Sequence, residues 1–131
     1  MSPPKRVLFV CVENSNRSQM AEAFARVHGG DAVEAYSAGS RPSGQVNPRA
    51  VEFMRELGYE LSVHRSKSLD DLPDVEFDAA ITMGCGDACP FVRARHREDW
   101  DLPDPKAMGP DDYRRVRDSI EQRVKDLLRR I

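Results

Sequence analysis

The segment Arg6-Val-Leu-Phe-Val-Cys11 constrains the fold of this chain more than any other. It is apolar without alternation and rich in β-branched and aromatic residues, the pattern of a strand buried on both faces of a parallel sheet. Parallel neighbours need crossover connections, usually helices. After the polar stretch Val12 to Arg17, residues Ser18 to His28 are good helix formers with Met20, Phe24 and Val27 on one face, and Gly29-Gly30 ends them. Val33 to Ala38 reads as a second strand, followed by the turn-rich segment Gly39 to Gly44. Asn47-Pro48 offers an N-cap with proline at the first helical position, Ala50, Val51, Met54 and Leu57 line one face, and Gly58 stands at the C-terminal end. Ser66 to Leu72 reads as a short helical turn and Phe77 to Met83 as a third strand, with a short fourth strand expected around Trp100. From Pro110 onward, Tyr113, Val116, Ile120, Val124, Leu127 and Ile131 recur every three or four positions, as on a helix packed across a sheet. The alternation predicts a doubly wound α/β sheet with its ligand site at the strands' C-terminal ends, where Cys11 and Gly84-Cys85 fall.

The 131 residues predict a single domain over 1–131, since domains commonly run to roughly 100–150 residues. A hydrophobic content of 40 % with 32 % charged residues excludes a disordered chain. The net charge of −2 provides no overall basic field for nucleic acid or anionic lipid, so any anion must be held by a local device. The longest apolar stretch, Val7 to Val12, is far short of the roughly 20 residues of a membrane span, and the cytoplasm is the expected location. Arg93, Arg95, His96 and Arg97 read as a solvated charged run, and the histidines as surface or packing residues. Three cysteines, an odd number, point to reactive thiols rather than a disulfide scaffold.

Cys11-Val-Glu-Asn-Ser-Asn-Arg17-Ser18 sets a thiol and a guanidinium five residues apart, between a buried strand and a helix start. Successive backbone N–H groups leading into a helix N-terminus form a concave anion site, because they lack intrahelical partners and the helix dipole is positive there. Val12, Glu13, Asn14, Ser15, Asn16 and Arg17 are therefore expected to hold a tetrahedral oxyanion, with Arg17 adding a bidentate fork. The same field favours thiolate at Cys11, and Ser18 adds an O–H donor. The result is a nucleophile aimed at a bound tetrahedral centre.

At these residues the sequence resembles the low-molecular-weight protein tyrosine phosphatase superfamily. Ser18-Gln-Met-Ala-Glu22, Tyr36-Ser-Ala-Gly39, Val46-Asn-Pro48, His64-Arg-Ser66 and Asp104-Pro105 look like its arsenate reductase branch. The resemblance spans essentially the whole chain and implies a four-stranded parallel sheet flanked by helices on both faces. It also implies that Asp104 is the general acid, although Asp99 and Asp101 stand close in sequence. Three departures from the family pattern matter. Glu13 replaces a glycine, and a carboxylate at the rim of an anion pocket should turn outward or tune the substrate. Asn16 replaces a frequent cysteine, removing a competing disulfide partner for Cys11. Some family reductases bind potassium through residues matching Asn14, Glu22 and Ser37, but Lys67 stands where an aspartate would complete the set, and its ammonium can pair with Glu22 instead.

The Asp104-Pro105 dipeptide is followed by Lys106-Ala-Met-Gly109, without the aromatic residues that grip a phosphotyrosine ring in the family's phosphatases. Thr82-Met-Gly-Cys85-Gly-Asp-Ala-Cys89-Pro90 supplies two more thiols, for which phosphoester hydrolysis has no use. Reducing As(V) to As(III) takes two electrons, and Cys85 and Cys89 are suited to a disulfide relay like that of the thioredoxin-coupled reductases the chain resembles. The expected activity is arsenate reduction with no tightly bound cofactor or metal, an external thiol reductant, and thioredoxin or a glutaredoxin- or mycoredoxin-type protein as partner. Three alternatives stay open: a small external thiol, glutathione or mycothiol, acting on the Cys11 adduct; a tyrosine or phosphomonoester phosphatase using Cys11, Arg17 and Asp104; and a phosphate-sensing module without turnover. Structural zinc would need four ligands, but beside Cys85 and Cys89 the chain offers only Cys11, committed to the anion loop, and His28, His64 and His96 at spacings that suggest no site.

Overall fold

A computed structural model describes residues 3–83 and 92–131. Strands β1 (Lys5–Cys11), β2 (Val33–Gly39), β3 (Phe77–Thr82) and β4 (Ala94–Asp99) form one parallel sheet in the order β2-β1-β3-β4. The central position of β1 follows from its sequence: Val7, Leu8 and Phe9 are each wholly buried, which requires cover on both faces. Helix α1 (Arg17–Gly29) returns the chain from β1 to β2, α2 (Pro48–Arg55) follows β2, and α3 (Pro110–Arg130) closes the fold.

Val7, Phe9 and Cys11 face a core with Met20, Phe24, Phe53, Met54, Tyr113 and Ile120 from the three helices. Leu8 and Val10 face the opposite side, covered by Leu69 and Leu72 from a 3-10 turn at Leu69–Asp71 and by Val75 and Val92. Helical segments thus lie on both faces, the long ones on one. The short turn expected within Ser66 to Leu72 is this 3-10 turn, closed by a capping box between Ser68 and Asp71.

Three local expectations need correction. Val27 and Leu57, read as core positions, are 56 % and 46 % exposed. Val27 lies in the last turn of α1 and Leu57 in the turn after α2 has ended at Arg55, while Phe53 takes the buried place on α2 beside Met54. The fourth strand ends before Trp100, which is itself buried against Phe9 at 6.0 Å. β4 is an edge strand whose residues alternate between half-buried Ala94, His96 and Glu98 on one face and exposed Arg95, Arg97 and Asp99 on the other, so no apolar run marks it. Arg93 pairs with Asp74 and Arg95 with Glu76. Among the described residues no helix is long and apolar enough to cross a membrane.

Candidate active site

The segment from Cys11 to Ser18 wraps the C-terminal end of β1 into the first turn of α1. Its carbonyls all point away from the loop's interior. Val12 O accepts from Arg41 N at 2.8 Å, Glu13 O from Ser43 N at 3.0 Å and Ser66 Oγ at 2.9 Å, and Ser15 O from Asn47 N at 2.8 Å. Asn14 O accepts from Gln19 Nε2 at 3.0 Å, and Asn16 O from Met20 N at 3.1 Å. Among the described residues the backbone N–H groups of Glu13 to Asn16 have no acceptor, which leaves these donors for an anion.

Two special positions allow this turn. Asn14 adopts φ +50°, a left-handed conformation that asparagine tolerates better than most residues. Gly39 at the end of β2 lies so close to the loop that a Cβ there would stand 2.5 Å from Val12 O and 2.9 Å from Asn14 N. The sequence shows Gly39 only as a turn glycine. Its role as the floor beneath the loop depends on the β1–β2 pairing of Cys11 with Gly39.

A buried polar network fixes the loop from behind. Asn14 Nδ2 donates to Ser18 Oγ at 2.9 Å, and Ser18 Oγ lies 2.8 Å from Cys11 Sγ. Ser18 Oγ takes the Asn14 amide proton on one lone pair and meets Cys11 Sγ, where either atom can donate. Asn14 Oδ1 accepts from Gln19 Nε2 at 2.9 Å and Lys67 N at 2.8 Å. Gln19, wholly buried, also reaches Arg65 O at 2.9 Å and His64 Nδ1 at 3.0 Å, and His64 Nε2 meets Tyr59 Oη at 2.6 Å. Since Gln19 Oε1 can only accept, His64 carries its proton on Nδ1, and burial pushes this imidazole below its ordinary range, towards the neutral form. His64 is therefore part of the loop's support, a role that no periodicity or spacing marks in the sequence.

The potassium set implied by resemblance does not fit a cation here. Lys67 Nζ lies 3.5 Å from Glu22 Oε1 and donates to Ser37 Oγ at 3.4 Å and Arg65 O at 3.0 Å, while Ser37 Oγ donates to Glu22 Oε1 at 2.5 Å. The ammonium and Arg26, 2.8 Å from Glu22 Oε2, already neutralise the buried carboxylate. Among the described residues no group of three or more His, Cys, Asp or Glu side chains forms a metal-binding cluster.

Above the loop opens a cleft of about 490 Å³ lined by Cys11, Val12, Glu13, Ser15, Asn16, Arg17, Asn47, Leu102, Asp104 and Lys106. Arg17 Nη1 is held by Leu102 O at 2.8 Å, which ties the guanidinium to the segment carrying Asp104. Asp104 lines the cleft with its Oδ1 accepting from Lys106 N at 3.0 Å. Asp99 is instead engaged by Thr82 Oγ1 at 2.6 Å, and neither Asp99 nor Asp101 lines the cleft. Glu13 turns to the rim, half-exposed, with its carboxylate 4.0 Å from Lys106 Nζ. Cys85 and Cys89 lie outside the described residues.

A thiol at the end of a parallel strand, inside a cradle of free amides that leads into a helix, defines a cysteine-based oxyanion-binding domain. The chain belongs to the low molecular weight phosphotyrosine protein phosphatase family, whose pattern matches residues 6–131. It is 43 % identical to an arsenate reductase of Bacillus licheniformis, over 92 % of this chain and 93 % of that protein. It is 36 % identical to a glutaredoxin arsenate reductase of Synechocystis, over 97 % and 98 % of the two chains. The fold superposes with a TM-score of 0.88 on an arsenate reductase in a phosphate-binding state, at 36 % identity and covering 97 % of this chain and 98 % of that one.

Proposed function

We propose that the protein is a thiol-dependent arsenate reductase. The observation that carries this reading is the cleft itself: it joins Cys11, Arg17 and Asp104 around a small polar space, and none of its described lining residues is aromatic. Such a site suits an inorganic tetrahedral oxyanion, and among the described residues that line it nothing stacks a phosphotyrosine ring. The identity with reductases supports the same choice.

In this reading the Cys11 thiolate attacks arsenic, a sulfur–arsenic bond forms, and one oxygen leaves as water with a proton from Asp104. Arg17 and the loop amides hold the remaining oxygens, and Ser18 stabilises the thiolate. The Cys85 thiolate then attacks the Cys11 sulfur, and the sulfur–arsenic pair of electrons passes to arsenic, which leaves as arsenite. The two electrons come from the two sulfurs, now a disulfide. Cys89 attacks Cys85, releases Cys11, and leaves a Cys85–Cys89 disulfide for an external dithiol protein of the thioredoxin or glutaredoxin type. No tightly bound cofactor takes part, and a reducing compartment such as the cytoplasm keeps the thiols ready.

The test is arsenite production by purified protein supplied in turn with thioredoxin, glutathione with glutaredoxin, and mycothiol with its redoxin, beside p-nitrophenyl phosphate hydrolysis. Cys85→Ser is expected to abolish arsenate turnover and leave ester hydrolysis largely intact. Cys89→Ser is expected to stop after one turnover with a Cys11–Cys85 disulfide, visible by peptide mapping. Normal turnover of both variants with a small thiol would replace the internal relay by an external one. Ester hydrolysis without arsenite from any donor would make the protein a phosphatase.

A further inference from the structure

Only two buried side-chain polar atoms among the described residues lack a hydrogen-bond partner, Asn16 Nδ2 and Ser40 Oγ, and only Asn16 lines the cleft. Asn16 precedes α1 in the N-cap position, where an asparagine oxygen ordinarily accepts from an N–H of the first turn. Here it makes no such bond. Its Oδ1 instead accepts from the Tyr113 hydroxyl of α3. Tyr113 is wholly buried, with Phe53 stacked at 4.5 Å and the Arg49 guanidinium 4.8 Å from its ring centroid, so the phenol is fixed in place. Burial pushes its ionisation upward, so it remains a donor. The phenolic proton requires an acceptor, which orients the Asn16 amide with its oxygen on Tyr113 and its NH2 group at the other end.

The side chain is thus withdrawn from capping, clamped by its oxygen, and left with two unspent donors, although the residue is only 6 % exposed. Unpaired buried donors are rare and destabilising unless a ligand meets them. From this geometry we infer that the Asn16 side-chain amide is a binding group for the tetrahedral oxyanion, additional to the backbone amides, and that Tyr113 is its positioning residue. By not capping α1, Asn16 also leaves the N–H groups of the first helical turn to the same anion. The inference rests on the oxyanion reading of the cleft and adds to it a donor that the loop backbone does not provide.

The experiment measures how inorganic phosphate protects Cys11 from alkylation by iodoacetamide, which reports anion affinity without turnover. Asn16→Ala is expected to weaken protection about tenfold, the scale of one charge-assisted hydrogen bond. The nearly isosteric Asn16→Asp should weaken it further by placing a carboxylate against the anion, and Tyr113→Phe a few-fold by releasing the amide. The rate without phosphate is measured for each variant and protection is expressed relative to it, so that anion binding is read apart from any change at the sulfur. Unchanged protection would overturn the inference. If Asn16→Ala does not fold, Asn16→Asp and Tyr113→Phe decide. A parent protein that forms no arsenite while the variants still shift phosphate protection would retire the proposed reaction alone. Arsenite formation with unmoved protection would retire the donor alone.

Discussion

The two sides of the cleft are built differently. The Cys11 side is interlocked: Asn14, Ser15, Asn16, Ser18 and Gln19 are at most 8 % exposed, and each loop carbonyl from Val12 to Asn16 has a partner. On the other side Leu102 and Pro105 are buried, but Asp104 and Lys106 are exposed, and the polar ties are few, chiefly Leu102 O to Arg17, Lys106 O to Arg49 Nη1 at 3.2 Å, and Lys106 to Glu13. The difference teaches how such a site divides its work. Donors that hold a charge must be fixed before the anion arrives, since reorganising them would consume the electrostatic gain. In the proposed reaction Asp104 gives up a proton, and a group in that role must meet solvent to recover it each cycle.

Five perturbations bear on this contrast. Cys11→Ser should abolish both arsenate reduction and ester hydrolysis, because a serine hydroxyl is not ionised in this cradle; residual turnover of either kind would show that the interlocked side is not where chemistry starts. Asp104→Asn should keep phosphate protection of Cys11 yet slow turnover by about 10²–10⁴, the usual worth of general acid catalysis. Near-normal kcat would move the acid elsewhere and remove the functional half of the comparison.

Gly39→Ala attacks the rigid side through its floor. The added methyl meets Val12 O and Asn14 N, so stability should fall by about 1–3 kcal/mol, the range for overpacking. Phosphate protection should weaken with it; a lower Tm with unchanged protection would mean that the cradle tolerates displacement. His64 adds a pH signature. Its protonation is suppressed in the folded protein, so the unfolded chain binds the proton first as pH falls below about 6.5. The neutral imidazole's contribution is complete above that pH and is progressively lost below it. Between pH 7.5 and 5.5 the Tm should therefore drop, and His64→Gln should shrink that drop. The smallest expected effect is none: exchanging sodium for potassium should leave Tm unchanged, because Lys67 already stands beside Glu22 and Ser37. A clear rise with potassium alone would contradict that arrangement.

Where a residue's role is local, the sequence shows it. The β1 run, the Cys11–Arg17 spacing, the Asn47-Pro48 start of α2, whose Asn47 side chain caps Arg49 N at 2.8 Å, and the stripe of α3 all follow from nearest-neighbour chemistry. Glu13 at the rim follows from a carboxylate's repulsion by an anion pocket, and Lys67 beside Glu22 only from the family resemblance. Where a residue acts through a partner far along the chain, composition and spacing are silent. Gln19 and His64 are 45 positions apart, and Asn16 and Tyr113 are 97. Val27 keeps helical phase yet misses the core, because phase describes a helix face and not how far the core extends beneath it, and Leu57 misses it because α2 ends at Arg55.

By itself, then, the sequence determined a parallel α/β sheet with a thiol and a guanidinium around an anion loop, because strand burial, helix capping and loop length are properties of adjacent residues. Only the tertiary structure decided which aspartate reaches the cleft, that Gly39 is the loop's floor, and that the Asn16 amide is turned by Tyr113. Those depend on register between strands and on helices meeting across the core, and the long-range contacts that set them leave no periodic trace along the chain.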